Sequence, residues 1–128
     1  SVTDALLKNA YEDTQLLIKN DSLGDVFSIP RDVDFVLKCD DRKKAEIVAS
    51  FILDNRYGLP SIGESDSGFR VVVTVNMPTT QNVLCSVSGL MACLSKLFDL
   101  DYDGWGCVVQ HGESSDAIQL SALCVVVP

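Results

Sequence analysis

No stretch of this chain reaches the ~18 consecutive apolar residues that a membrane-spanning helix requires. The opening residues, Ser1 to Asp13, mix charge with apolar side chains and lack the apolar run of a signal peptide. Neither a span nor a secretory leader is therefore expected. Basic side chains are scarce: ten Lys and Arg stand against eighteen Asp and Glu, a net charge of -8. That balance argues against direct binding of nucleic acid, because holding phosphates needs a concentrated positive surface. It fits plain solubility, or a partner with a basic face. There is one histidine, His111 beside Gly112, and a lone histidine needs an orienting partner to act as a base. Nucleophile motifs centred on Ser or Cys are missing, as are phosphate-cradling glycine loops. Gly104-Trp105-Gly106 is too short for such a loop. The chain is thus expected not to be an enzyme and to carry no cofactor. CxxC pairs are absent too. The five cysteines, Cys39, Cys85, Cys93, Cys107 and Cys124, are odd in number and sit in apolar stretches. They read as reduced, buried small hydrophobes of a cytoplasmic protein.

The 128 residues are 47% hydrophobic, enough for one sizeable core, and residues 1–128 read as a single domain. Leu6, Ala10, Asp13 or Thr14, and Leu17 recur at helical spacing and predict a helix over 4–20, capped by Thr3 or Asp4. Val26 to Ile29 reads as a short extended piece stopped by Pro30, and Asp32 to Cys39 as a strand. Asp40 or Asp41 caps a helix that runs to about Arg56, with Ala45, Val48, Phe51, Ile52 and Asn55 facing inward. A weak strand falls near 58–64, and Ser65 to Gly68 carries turn chemistry. Phe69 to Met77, β-branched and apolar on both faces, suits a central strand. Past Pro78, Thr79 or Thr80 caps a long helix whose inner face is Val83, Leu84, Val87, Leu90, Met91, Leu94, Leu97 and Phe98, with Gly89 allowing close packing. Gly106 to Val109 and Leu120 to Val127 read as strands. The order is βαββαβ, the ferredoxin-like split βαβ sandwich of the α+β class, with an extra N-terminal helix and a C-terminal strand.

The sharpest local feature is Asp99-Leu100-Asp101-Tyr102-Asp103-Gly104-Trp105-Gly106. Asp-x-Asp-x-Asp-Gly is the opening of an EF-hand calcium loop. The twelfth position, however, is Gln110, which offers no bidentate carboxylate, and the exit reads as a strand, so no metal site is assigned and calcium binding stays an alternative. Three aspartates at the negative end of a helix work against local stability by a few tenths of a kcal/mol each, and such rule-breaking often marks function. Tyr102 and Trp105 with an acidic rim resemble a protein-binding hot spot. Trp105 equally suits a core position packed on the first helix. The candidate protein-binding set is Asp99, Asp101, Tyr102, Asp103, Gly104, Trp105 and Gly106. An exposed strand over 120–127 would invite pairing with a second copy, so monomer and homodimer both stay open.

Phe98-Asp99 followed by Tyr102-Asp103-Gly104-Trp105-Gly106 resembles the signature of the bacterial regulators of ribonuclease E activity, type B. Glu12-Asp13-Thr14 with Leu17-Ile18 is similar to that family's first helix. The stretches from Asp40 to Tyr57-Gly58 and Phe69 to Val73 fall where its pattern places them. The resemblance covers roughly residues 9–110. It implies a ferredoxin-like core and a cytoplasmic, bacterial protein that binds and inhibits ribonuclease E, altering RNA decay without nuclease activity of its own. Such regulators often end in a long acidic tail, whereas residues 117–128 here are short and apolar. A diverged member with another protein partner, in an immunity-type role, is the alternative.

Overall fold

The computed structural model describes residues 1–112; the strand expected over Leu120 to Val127, and with it Cys124, lies outside them. Seven elements follow one another: α1 (Val2–Ser22), β1 (Arg31–Cys39), α2 (Arg42–Asp54), β2 (Leu59–Ser65), β3 (Gly68–Met77), α3 (Gln81–Phe98) and β4 (Asp101–Gly106). From β1 to β4 this is βαββαβ. The sheet order is β2-β3-β1-β4 and every pairing is antiparallel. The expected ferredoxin-like α+β architecture is therefore present, with α1 as the N-terminal addition.

Alternation decides what faces the core. Val33, Phe35 and Leu37 of β1 are fully buried and stand opposite Val75, Val73 and Val71 of β3. Asp32, Asp34 and Val36 alternate onto the opposite face of the sheet, as the period-2 pleat requires; the two aspartates are exposed and Val36 is buried. There Asp32 and Asp34 accept hydrogen bonds from Asn76 and Thr74, respectively, across the strand pair. α2 and α3 cover the inner face with Ala45, Val48, Ile52, Leu84, Met91 and Leu94. Each fully buried leucine or isoleucine contributes roughly 1.5–3 kcal/mol relative to exposure.

Turn and cap chemistry sets the boundaries. Ser1, and not the expected Thr3 or Asp4, caps α1 by accepting from the Asp4 N–H; Asp41 does the same for α2 through Lys43. Asn55 is the exposed C-cap of α2 and not part of its inner stripe; its side chain binds the Phe51 carbonyl. Leu97, expected inside, is 70% exposed, while its neighbour Phe98 packs against the core. Val26 to Ile29 forms a turn and not an extended piece. At the β2–β3 hairpin, a Cβ on Gly68 would lie 2.5 Å from the Cys39 carbonyl oxygen, so only glycine fits.

A buried ion pair anchors the loop between α1 and β1. Arg31 binds the Asp25 carboxylate and donates to the Val26, Ile29 and Val108 carbonyls, while the Gln110 N–H donates to Asp25. The segment following β4 is thereby fastened to the entrance of β1. Of the described cysteines, Cys107 is buried, and Cys39, Cys85 and Cys93 are half-buried.

Candidate protein-binding site

Sequence reasoning places a strand over Gly106 to Val109, but the fourth strand lies earlier, over Asp101–Gly106, inside the acidic segment itself. Aspartate and glycine are poor strand formers; pairing with the central strand β1 overrides that preference. Tyr102 pairs with Leu37 and Trp105 with Phe35, so two aromatic side chains enter the core from an otherwise polar stretch. Between these pairs β1 spends two steps and β4 three, so β4 carries a bulge. Gly104 sits in it at φ +86°, a conformation open to glycine. An EF-hand loop would wrap its carboxylates around one point. Here the same residues lie along a strand, and among the described residues no three His, Cys, Asp or Glu side chains cluster so as to hold a metal ion.

The segment divides into an outer and an inner set. Asp99 closes α3 in the left-handed conformation (φ 57°, ψ 57°), its N–H returning to the Ser95 carbonyl. Its own carbonyl accepts from the Lys44 Nζ at 3.3 Å. This lysine is a cation at the negative end of the helix, where cations are favoured. Asp99 and Asp101 are exposed, and their carboxylates have no partner among the described residues. Asp101 is paired in register with Lys38, and Asp103 forms an ion pair with the same lysine at 3.1 Å. Both carboxylates thus share the sheet face opposite α2 and α3 with Asp32 and Asp34. Lys38, Asp40, Lys44, Asp99 and Asp101 line a shallow hollow of about 370 Å³ at one end of that face.

The inner set is a polar network within the core. Trp105 is fully buried, which rules out its ring as a solvent-facing contact in this conformation; Gly106 is buried beside it. The Trp105 Nε1–H donates to Asp13 Oδ1 of α1 at 3.0 Å. Asn9 Nδ2 donates to Asp13 Oδ2 (3.3 Å) and to Ser88 Oγ of α3 (2.9 Å), and Ser88 Oγ meets the Tyr102 hydroxyl at 2.7 Å. Burial pushes the Asp13 carboxyl up to about 6, against hydrogen bonds from Ser88 and Trp105 that lower it and the neighbouring Glu12 charge that adds to the rise. Burial likewise holds the Tyr102 phenol well above its ordinary range and raises the Cys85 thiol. Tyr102 and Trp105 are thus the struts that fix β4 to α3 and α1.

Asp13, Asn9 and Ser88 are absent from the sequence-derived site. Helical spacing marks position 13 or 14 as inward-facing, and the structure selects Asp13. Ser88 carried a weaker signal, a small polar residue within the apolar face of α3.

A ferredoxin-like sheet with an exposed acidic strand end defines a small α+β protein. The family model described as regulator of ribonuclease activity B matches residues 10–107, and the chain belongs to that family. Among curated proteins, none matches the chain. The matched span begins within α1 and runs through the whole of β4, so it takes in the outer acids and, apart from Asn9, the inner network. No helix among the described residues is long and apolar enough to cross a membrane.

Proposed function

We propose that this protein regulates a ribonuclease of the ribonuclease E type by direct protein contact, its acidic face meeting a basic segment of the nuclease. Family membership supports the regulation of ribonuclease activity. The observation that carries the choice of surface is the pair Asp99 and Asp101, exposed and without an ion-pair partner among the described residues. Charge left unpaired at a surface steers association with an oppositely charged partner. Asp103, Asp32 and Asp34 extend the same face. Tyr102, Gly104, Trp105 and Gly106 serve the contact from beneath by holding the strand in place, and not as touching residues. The protein acts without chemistry of its own or a cofactor, in the bacterial cytoplasm, as a monomer or homodimer.

The test is calorimetric titration with ribonuclease E, its catalytic and scaffold segments taken separately. Saturable binding to one segment supports the reading. Replacing both Asp99 and Asp101 by Lys should then weaken that binding at least tenfold while leaving the circular dichroism spectrum unchanged. Absence of binding to either segment assigns the surface to another protein partner, which an unbiased pull-down would identify.

A further inference from the structure

Helix α1 is held unusually. It packs chiefly on α3, and among its apolar residues only Leu16 and Leu17 leave less than a tenth of their surface exposed. Leu7, Tyr11 and Ile18 face outward at 67%, 67% and 58% exposure. Apolar burial, ordinarily the main source of helix docking, is therefore modest here. Position 13, in the middle of the docked face, is an acid.

That acid is enclosed on every side. From α1 itself come Asn9 and the charged Glu12; from α3 come Ser88 and Cys85; from β4 come Tyr102 and Trp105. No lysine, arginine or histidine forms an ion pair with Asp13 among the described residues. A carboxylate buried without a counter-cation is costly, whereas the neutral acid in the same place is not. The neutral form can also keep the network intact. The Trp105 N–H still finds an acceptor oxygen.

We propose that α1 is a proton-controlled latch: the neutral Asp13 carboxyl group holds the helix shut on α3 and β4, and loss of its proton loosens it. The sign follows from linkage. The Asp13 carboxyl is raised from 3.8 to about 6 in the closed form, while an opened helix returns it to the ordinary carboxyl range. The closed form therefore gains stability over the opened form below the ordinary range and loses that gain as pH rises through about 6. Loosening exposes the α3 surface around Ser88 and Cys85 and removes the support under Trp105.

The test is amide hydrogen exchange of the whole chain, corrected for intrinsic rates, read alongside the NMR shift of the Trp105 indole N–H. Trp105 is the only tryptophan, so its indole signal is unique. Protection over Asn9 to Leu17 should be about tenfold higher at pH 5 than at pH 7.5, with β1 amides unchanged. The indole shift should titrate with a midpoint near 6. Asp13→Asn should abolish both responses, and His111→Gln should abolish neither. Should Asp13→Asn fail to fold, Ser88→Ala supplies the second arm: it removes a hydrogen bond that favours the carboxylate, so the midpoint should move upward. Flat protection in the native protein, a response that survives in Asp13→Asn, or a midpoint unmoved or lowered in Ser88→Ala overturns the latch.

Discussion

The indole N–H of Trp105 donates to the buried carboxylate of Asp13 across 92 positions of sequence, joining the last described strand to the first helix. Everything that distinguishes the candidate site follows from which side of β4 a residue takes. Trp105 and Tyr102 turn inward and hold; Asp101 and Asp103 turn outward and are presented.

Trp105→Phe keeps an aromatic ring in the core but removes the donor to Asp13. Loss of a hydrogen bond to a charged buried acceptor should cost ~1–3 kcal/mol in urea denaturation. Because the lost bond favours the charged form, the substitution raises the Asp13 carboxyl still further. The cost should accordingly be larger at pH 8, where Asp13 is ionised, than at pH 5. An equal cost at both values would show that the bond does not discriminate between the two protonation states.

Arg31→Met leaves Asp25 charged and enclosed. Breaking a buried pair from one side should destabilise the protein by ~3–5 kcal/mol. Adding Asp25→Leu should restore most of that loss, since it removes the stranded charge. Equal stability of the single and double variants would mean that the pair matters only through packing.

Gly104→Ala asks a side chain to adopt φ +86° within the β4 bulge. The strain should cost about 1–2 kcal/mol. Thermal unfolding reads the effect, and a melting temperature unchanged from the native protein would show that the bulge relaxes around the added methyl group.

The acidic surface should reveal itself through salt. Affinity for a ribonuclease E segment should fall as ionic strength rises, through a slower association rate, because exposed charges separated by more than the screening length of ~8–10 Å stop steering one another. Stopped-flow association at two salt concentrations measures this directly. An association rate indifferent to salt would move the contact away from Asp99 and Asp101.

Much of the fold was legible because it rests on period. The alternation of Val33, Phe35 and Leu37, the β-branched run Val71 to Val73, and the spacing of Leu84, Met91 and Leu94 each name their own core face. The fourth strand was misplaced because its composition is that of a turn, and only the register with Leu37 and Phe35 makes it a strand. The run from Tyr102 to Gly106 carried the family resemblance, yet the side on which its residues would fall could not be read from it. Flanking glycines suit an exposed ring as well as a buried one. The partner that decides the matter, Asp13, stands at the far end of the described chain. Arg31 gave no signal at all, since a charged residue next to Pro30 reads as solvent-facing until Asp25 and the carbonyls around it are assembled.

The strand order has a kinetic consequence. The β2–β3 hairpin closes over a two-residue turn, but β1 must find β3 across α2, and β4 must find β1 across most of the described chain. Closing long loops precedes the contacts that reward it, so pairings distant in sequence form slowly. Strand β4 is therefore expected to dock late, and the acids it displays to take up their outward positions with it. On the proposed reading of that surface, a chain still in the course of folding has nothing to offer a partner, and contact waits for a complete sheet.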